Sequence, residues 1–482
     1  MLFTSGYFFL LVIVTCVLYY AVARRGWQLG LLLVSSFVFY AWNFPWLLLL
    51  LLTSIGINVA AANGVARSTE TGRRRAIATA GVVVNLAVLA FFKYSPLFGR
   101  SFLPEGSAAG DFLLSVPLPI GISFFTFQGI SLLVDLYRGD VFGARPRVVP
   151  ELAERVRRAD EERGRGEDEL PATGLALYIA FFPQLVAGPI VKAKDFLPQI
   201  GVKYFRDIDW PAVFQALVTG YFLKMVIANN LKDFTAWMEY PAYLNIPKLD
   251  LLVLLFGYSV QIFADFAGYS LIAIGLARLF GYVLMDNFRF PYIAKSFSEF
   301  WRRWHISLST FLKEYLYIPL GGNRGGSFFT YRNLMITMAL GGLWHGAAWS
   351  YAIWGVYHGG LLAAERWAKD RGWVWTRHAW PRRLWVFALV TLGWLLFRLP
   401  DFTQVLGYLN GIRMNAWYNG LDRALQVLLY SAPVILYHLS HLYLDKQSAA
   451  FLRYGRPVGL GVMLFLILTN AGSAGDFIYF QF

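Results

Sequence analysis

Residues 251–283 read LLVLLFGYSVQIFADFAGYSLIAIGLARLFGYV and carry only two charged side chains, Asp265 and Arg278. A helix needs about 20 mostly apolar residues to cross the hydrocarbon core of a bilayer. We interpret the stretch as a closely joined pair of apolar segments, 251–265 and 269–283, that approach this length. It predicts a membrane protein.

The rest of the sequence agrees with this prediction. Of the 482 residues, 57% are hydrophobic and only 15% are charged, far from the composition of a soluble domain. Roughly ten to twelve stretches approach spanning length. A helix satisfies its own backbone polar groups in lipid, so the predicted fold is an all-α polytopic membrane protein.

The excess of basic residues fits a membrane topology better than a nucleic-acid partner. The formal net charge is +14, but Lys and Arg cluster at the ends of apolar segments, as the positive-inside rule expects. The first run, 7–23, has no basic residue before it and is followed by Arg24 and Arg25, so we read it as a retained span. Both termini are then expected outside, in the periplasm of a bacterial inner membrane. The single cysteine, Cys16, rules out an internal disulfide or a thiolate metal cluster.

We predict four parts along the chain: N-terminal spans to residue 137, a charged loop at 138–170, a core at 171–399, and C-terminal spans at 400–482. The loop carries eight arginines and nine acidic residues, too many charges to enter a bilayer. We predict that it is cytoplasmic. It is either a solvated loop or a docking site for a cytosolic donor or regulator.

Residues 296–319, SFSEFWRRWHISLSTFLKEYLYIP, predict an amphipathic or re-entrant helix near the cytoplasmic surface. Ser296 and Glu299 have the spacing of a capping box that begins a helix. On a continuous helix, one face would carry Trp301, Trp304, His305, Leu308, Leu312 and Tyr315, and the other Arg302, Arg303, Ser309 and Lys313.

Three of the six histidines, His305, His345 and His358, lie in or against apolar segments. An ionisable group is costly there and is often functional, although a lone buried histidine can also be a packing residue. Gly341, Gly342 and Gly346 surround His345 and would let another backbone or a substrate approach it. A neutral imidazole in such a place can take a proton from a hydroxyl.

Other residues are weaker candidates for binding a substrate or donor. Asp265 lies within an apolar segment and is either the partner of a nearby polar group or part of a site. Asn323 and Arg324, in the turn LGGNRGG, could touch an anionic donor, and Trp304 and Trp344 flank the two histidines. The metal-binding spacings HxxxH and HExxH are absent, so no metal is expected, although a metal site built from distant residues stays open.

Four segments together resemble the membrane-bound O-acyltransferase family: WRRWHISLSTFLKEYLYIPLGGNR (301–324), LGGLWHGAAWSYAIWGVYHGG (340–360), FFPQLVAGPI (181–190) and QIFADFAGYSLIAIGLARLFG (261–281). The similarity is greatest to the bacterial branch that includes proteins of alginate O-acetylation and of teichoic-acid D-alanylation, and extends from about residue 115 to the end. It implies spanning and re-entrant helices around a central funnel. It also implies that His345 is the catalytic histidine and that His305 faces it.

The terminal FIYFQF, residues 477–482, fits F-x-Y-x-x-F through Phe477, Tyr479 and Phe482. It resembles the C-terminal motif of a small membrane peptide of the D-alanylation system, whose tyrosine is proposed to carry the acyl group. The resemblance implies that Tyr479 carries an acyl group here. The alternative is an interfacial aromatic anchor.

The resemblance thus implies an O-acetyltransferase without a bound cofactor, which takes acetyl groups from a cytosolic thioester. The donor is expected to be acetyl-coenzyme A, with a carrier protein as the alternative. A periplasmic acetyltransferase of the SGNH type would finish the transfer to a polysaccharide, and direct transfer to the polysaccharide is the alternative. The expected polysaccharide is alginate, followed by cellulose or peptidoglycan. Two alternatives stay open: a proton-coupled transporter or channel lined by His305, His345 and Asp265, and an enzyme of the same family that acylates a lipid or a protein.

Overall fold

The computed structural model describes residues 1–143, 172–186, 188–373, 376–417, 422–443 and 451–473. Most of the charged loop and the whole FIYFQF motif, with Tyr479, lie outside the described residues. The described part of the chain is helical and contains no strand. The predicted all-α class is confirmed.

Up to residue 196, the described residues form ten α-helices. They are α1 (Gly6–Ala21), α2 (Arg25–Ala41), α3 (Leu47–Arg67), α4 (Thr71–Phe102), α5 (Ala108–Ser115), α6 (Ile122–Arg138), α7 (Asp140–Gly143), α8 (Ala172–Ala180), α9 (Phe182–Leu185) and α10 (Ala193–Phe196).

From residue 210 onwards, the described residues form the α-helices α11 to α21. They are α11 (Trp210–Tyr221), α12 (Asn229–Thr235), α13 (Lys248–Leu279), α14 (Phe297–Arg303), α15 (Ile306–Leu312), α16 (Ser327–His345), α17 (Trp349–Asp370), α18 (Ala379–Arg398), α19 (Phe402–Met414), α20 (Asp422–Tyr443) and α21 (Arg456–Thr469). The chain also contains the π-helical segments Phe222–Ala228, between α11 and α12, and Lys313–Tyr317, after α15.

Among the described residues, five helical stretches are long and apolar enough to cross a membrane: Leu47–Arg67, Thr71–Phe102, Trp210–Met238, Lys248–Leu279 and Asp422–Tyr443. The shorter helix α1 is also apolar. Other predicted stretches form continuous helices that are shorter than 18 residues, such as α1, α2 and α6. The run at 175–191 is divided into α8, which ends at Ala180, and the four-residue α9.

The chain folds into two compact units. Unit 1 comprises Met1–Ala216 and Ile272–Met285, and unit 2 comprises Leu217–Leu271 and Asp286–Phe482. The four-part division drawn from composition and motifs stays a prediction. The candidate histidines all belong to unit 2.

In unit 1, helix α1 has one buried face and one exposed apolar face. Phe8, Val12, Thr15 and Tyr19 follow one helical face and are buried. The opposite face exposes Leu10, Ile13 and Val17, each by more than half. Large apolar side chains exposed along a whole helix face are suited to lipid contact.

The predicted pair of segments at 251–283 is instead one continuous helix, α13. Gly268 does not interrupt it. A Cβ at Gly268 would lie 2.9 Å from the carbonyl oxygen of Gly220 and 3.0 Å from the amide nitrogen of Lys224. This glycine therefore permits close helix packing in unit 2, where a side chain would not fit.

Candidate active site

Glycines bring α16 and α17 into close contact. A Cβ at Gly342 would overlap the backbone oxygen of Tyr351, and a Cβ at Gly355 would overlap that of Met338. Gly346 lies against the ring of Tyr351 in the same way. The predicted close approach of another backbone is confirmed at Gly342, whereas Gly346 meets a side chain. The approach fixes the end of α16, where His345 is the last residue.

The imidazole of His345 is buried in an aromatic shell and is only 3% exposed. Its ring centroid lies 5.1 Å from that of Trp344, 5.2 Å from that of Trp354 and 5.3 Å from that of Phe397. All three rings meet the imidazole edge to face. Such packing leaves the side chain little freedom to change rotamer.

A cavity of about 190 Å³ reaches His345 within unit 2. Most of its wall is apolar, and its polar lining groups include Ser309, Lys313 and Thr337. Lys313 is exposed, whereas His345 is buried, so the cavity joins an accessible cation to a shielded imidazole. The described residues that line it are Trp301, Leu308, Ser309, Leu312, Lys313, Tyr317, Leu334, Thr337, Met338, Gly341, His345, Trp354 and Leu362.

The helix predicted over 296–319 begins as expected but is not continuous. Ser296 caps α14 by accepting a hydrogen bond from the amide of Glu299, at 3.0 Å. The helix ends at Arg303, and His305 adopts the left-handed backbone conformation, with φ of 43° and ψ of 55°, before α15 begins. A non-glycine residue in this conformation costs free energy, so tertiary contacts must hold it there. Beyond this break, both predicted faces contribute to the cavity at His345: Leu308 and Leu312 from the apolar face, and Ser309 and Lys313 from the polar face.

Asn287 supplies the contacts that hold His305. Its Oδ1 lies 3.1 Å from Nδ1 of His305, and it also accepts hydrogen bonds from the amide and the hydroxyl of Ser307. Its Nδ2 donates to the hydroxyl of Ser270. Because the amide oxygen can only accept, Nδ1 of His305 carries the proton and Nε2 of a neutral ring has the lone pair. His305 lies outside the candidate spans, and burial lowers its pKa to about 3, which keeps it neutral.

The two histidines are close together. The ring centroids of His305 and His345 lie 6.3 Å apart, and Trp344 lies beside both, at 5.9 Å from His305. Phe266 closes the other side of His305, with ring centroids 4.6 Å apart. The structure thus places two of the three histidines singled out in the sequence, His305 and His345, in one buried cluster.

The weaker candidates lie in different places. Among the described residues, the cavity lining includes none of Asp265, Trp304, Asn323, Arg324, Trp344 and His358. His358 is fully buried on α17, behind Trp301 and Trp354, with ring centroids 5.3 Å and 4.7 Å away. Trp304 packs against Phe300 and Trp394. Asn323 and Arg324 lie in the turn before α16, and the described residues contain no group of three or more His, Cys, Asp or Glu that could hold a metal ion.

Asp265 forms a buried ion pair with Lys224, whose Nζ lies 2.6 Å from Oδ1. Their side chains are only 5% and 2% exposed. Lys224 belongs to the π-helical segment Phe222–Ala228. The pair supplies the polar partner that one of the two interpretations of Asp265 required, since a buried charge needs a counter-charge.

Sequence reasoning missed Lys224 and Asn287. Lys224 had a usable signal, because it is a cation within the apolar run 213–228, where charges are rare. Asn287 had none, because its partner His305 lies 18 residues away and the contact depends on the fold.

The model of the family described as "MBOAT, membrane-bound O-acyltransferase family" matches residues 9–395, a longer N-terminal extent than the four motifs indicated. The chain is 40% identical to the "Probable alginate O-acetylase AlgI" of Pseudomonas aeruginosa, over 83% of this chain and 72% of that protein. It is 34% identical to the "Peptidoglycan O-acetyltransferase" of Helicobacter pylori, over 94% and 91%. A more distant relative is the "Teichoic acid D-alanyltransferase" of Bacillus subtilis, 27% identical over 59% and 69%.

Proposed function

The chain belongs to the membrane-bound O-acyltransferase family and is a multi-pass membrane O-acyltransferase, and we propose that it moves acetyl groups from a cytosolic thioester to an extracytoplasmic polysaccharide. The observation that carries the proposal is the cavity lined by His345, whose imidazole lies beside His305. The similarity to a probable alginate O-acetylase and to a peptidoglycan O-acetyltransferase supports acetyl as the group and a polysaccharide as the final acceptor. Alginate is our first choice of polymer.

The proposed donor is acetyl-coenzyme A. Its phosphates cannot cross the bilayer, since even one charge at the centre costs at least a few kcal/mol. Only the acetyl group has to cross. The cavity from the exposed Lys313 to His345 provides a route for the thioester arm, and the cation at its exposed end favours an anionic donor.

In the proposed first step, Nε2 or Nδ1 of His345 accepts the proton of the Tyr479 phenol. The phenolate oxygen attacks the carbonyl carbon of the thioester, the C–S bond breaks, and the leaving thiolate takes the proton from the imidazolium. Acetyl moves from sulfur to oxygen without any change of redox state. His305, whose proton Asn287 holds on Nδ1, offers a lone pair on Nε2 near the same centre.

Tyrosine suits an intermediate better than serine would. A phenol has a pKa of roughly 10, well below that of an alkyl alcohol, so an acetyl-tyrosine retains more transfer potential than an acetyl-serine. In the second step, a hydroxyl of a periplasmic SGNH-type acetyltransferase would accept the acetyl group and pass it to the polymer. We place both termini in the periplasm of a bacterial inner membrane, because the basic clusters lie at the opposite ends of the spans.

The family match favours an enzyme over the transporter alternative. An enzyme of the same family that acylates a lipid or a protein remains the nearer alternative. A uniform acetyl product on a polysaccharide would separate the two.

The test is intact-mass analysis of the purified protein after incubation with acetyl-coenzyme A, beside the variants Tyr479→Phe and His345→Ala. We expect a gain of one acetyl group on the terminal peptide of the wild type and on neither variant. If donor cleavage depends on His345 but Tyr479 is not acetylated, the protein is still an acetyltransferase, and the tyrosine intermediate is excluded. Donor cleavage that is unaffected in His345→Ala would overturn the proposed site.

A further inference from the structure

The cavity at His345 is elongated and runs lengthwise along α16. The residues of this helix that line it form one stripe, from Leu334 to His345. These two residues are 11 positions apart, which is about 16 Å along a helix. On a second side, the cavity is lined by α15 and the π-helical segment after it, from Leu308 to Tyr317. A linear chain fits such a space better than a bulky group does.

Helix α17 runs antiparallel to α16 along the same cavity. The glycine contacts that define this register are Gly342 with Tyr351, Gly355 with Met338, and Gly359 with Met335. Helix α17 lines the cavity with Trp354 and Leu362. Trp354 lies beside His345, with ring centroids 5.2 Å apart, whereas Leu362 lies about two turns further along α17, toward Leu334. We refer to the part of the cavity formed by His345 and Trp354 as the imidazole end.

Four aromatic side chains of α17 and α18 pack together at the imidazole end. We refer to Tyr351, Trp354, Trp394 and Phe397 as the aromatic wall. Each of them is at most 5% exposed. Phe397 is the central ring, because its centroid lies 5.1–5.6 Å from those of His345 and of the three other members. Among the described residues, the cavity lining includes Trp354 and none of the other three, so the cavity does not continue into the wall.

We propose that the aromatic wall determines the length of the acyl group: it leaves room for acetyl beside His345 and excludes longer acyl chains. The inference rests on the proposed function, in which a thioester reacts at His345, and names the residues that select its acyl group. The arm of the donor occupies the cavity on one side of the thioester. The acyl chain therefore lies on the other side of the thioester, toward the aromatic wall.

The wall resists a longer chain because its rings interlock. Trp394 meets the Phe397 ring at 90°, and Tyr351 meets it at 76°. One ring cannot move aside without displacing another, and a close-packed interior has few voids larger than a water molecule. Extra methylenes would have to enter this packing, which is unfavourable. One methylene in an apolar pocket changes the rate by about 10- to 200-fold, so propionyl and butyryl donors should react progressively more slowly than acetyl.

The test measures thiol release from acetyl-, propionyl- and butyryl-coenzyme A by the full-length protein and compares the three values of kcat/KM. For the wild type, we expect acetyl to exceed propionyl by about 10- to 200-fold. Phe397→Ala removes the central ring and opens space beside His345. The ratio of acetyl to propionyl should then fall by at least about 10-fold, because the added methylene no longer enters a packed wall. The value for acetyl should fall less, since Trp344 and Trp354 still contact the imidazole.

Phe387→Ala is the matched control on the same helix, α18. The Phe387 ring contacts Phe256 and Tyr292, with centroids 6.0 Å and 5.2 Å away, and belongs neither to the cavity lining nor to the aromatic wall. Its loss should leave the ratio of acetyl to propionyl unchanged. An equal change of this ratio in Phe387→Ala and Phe397→Ala would mean that any loosening of α18 alters selectivity, and it would overturn the inference.

A smaller change keeps the test open if Phe397→Ala does not fold. Phe397→Leu retains an apolar side chain and should lower the ratio of acetyl to propionyl by a few-fold. If both variants keep the wild-type ratio, the inference is wrong and the proposed acetyl transfer stands. A wild-type protein that uses butyryl as readily as acetyl would overturn the inference and the choice of acetyl together, whereas thiol release independent of His345 would overturn the proposed function.

Discussion

The ring centroids of His305 and His345 lie 6.3 Å apart, and the two imidazoles reach this position by different means. His345 is fixed by the helix pair α16 and α17 and by three aromatic rings. His305 is fixed by a left-handed backbone and by Asn287. His345 lines the cavity, whereas His305 does not, and Asn287 holds the proton of His305 on Nδ1. This asymmetry gives the two residues different expected roles, which variants can separate.

Replacement of His345 by alanine should abolish acetyl transfer while the protein still folds. We expect a loss of at least about 10²- to 10⁴-fold in turnover, the range that a positioned general base contributes. The measurement is thiol release from acetyl-coenzyme A by purified protein, with size-exclusion chromatography as the check on folding. His378, which is exposed, provides the matched control His378→Ala. A folded, fully active His345→Ala protein would contradict the proposed site.

Replacement of Asn287 by alanine should lower activity through His305. The Nδ1 proton of His305 would lose its acceptor, so the ring would no longer be held in one tautomer and orientation. We expect turnover to fall by about 10- to 100-fold, with a smaller change in KM for the donor.

Ser270→Ala is the control for this prediction, because it removes the acceptor of the Asn287 side-chain amide and keeps the Asn287–His305 contact. Its activity should remain within a few-fold of the wild type. Equal losses in Asn287→Ala and Ser270→Ala would mean that Asn287 stabilises the fold and does not act through the tautomer of His305.

Local sequence signals predicted much of the fold and the two histidines. The long apolar runs predicted an all-helical membrane protein, and Ser296 with Glu299 marked the beginning of α14. The glycines around His345 predicted a close backbone approach, which Gly342 makes. Each of these features depends on residues within one or two turns of each other.

Features that depend on distant residues could not be predicted. The break at His305 requires Asn287, and a periodic pattern alone gives one continuous helix over 296–319. The partner of Asp265 lies 41 residues away in a π-helical segment, whose extra residue per turn no local pattern marks. The apolar run at 175–191 likewise becomes short buried helices because packing, not length, decides its path.

The ion pair between Lys224 and Asp265 should show strong coupling in a double-mutant cycle. Lys224→Met alone leaves a buried carboxylate without its cation, and Asp265→Leu alone leaves a buried cation. Each single change should destabilise the protein by about 3–5 kcal/mol, whereas the double variant should lose much less, because no uncompensated charge remains. The measurement is the midpoint of thermal unfolding in detergent. Additive losses in the double variant would mean that the two side chains act independently.

The contact between α16 and α17 should be disturbed by an alanine substitution at one glycine of α17 and should tolerate the same substitution at another. A Cβ at Gly355 would overlap the backbone oxygen of Met338, whereas a Cβ at Gly360 would meet nothing within 4 Å. In a helix interior, alanine is more favourable than glycine by about 1 kcal/mol, so Gly360→Ala should be neutral or slightly stabilising. Gly355→Ala gains the same propensity but must push the helices apart, and overpacking of this kind costs about 1–3 kcal/mol.

Activity should follow the same order as stability in this pair. His345 ends α16, so a displacement of α16 moves the imidazole away from the cavity and from His305. We expect Gly355→Ala to lower both the thermal midpoint and the rate of thiol release, and Gly360→Ala to lower neither. Both are measured on the same detergent-purified samples. If the two alanine variants were equally stable and active, the helices could not be in direct backbone contact, and the placement of His345 by this contact would be wrong.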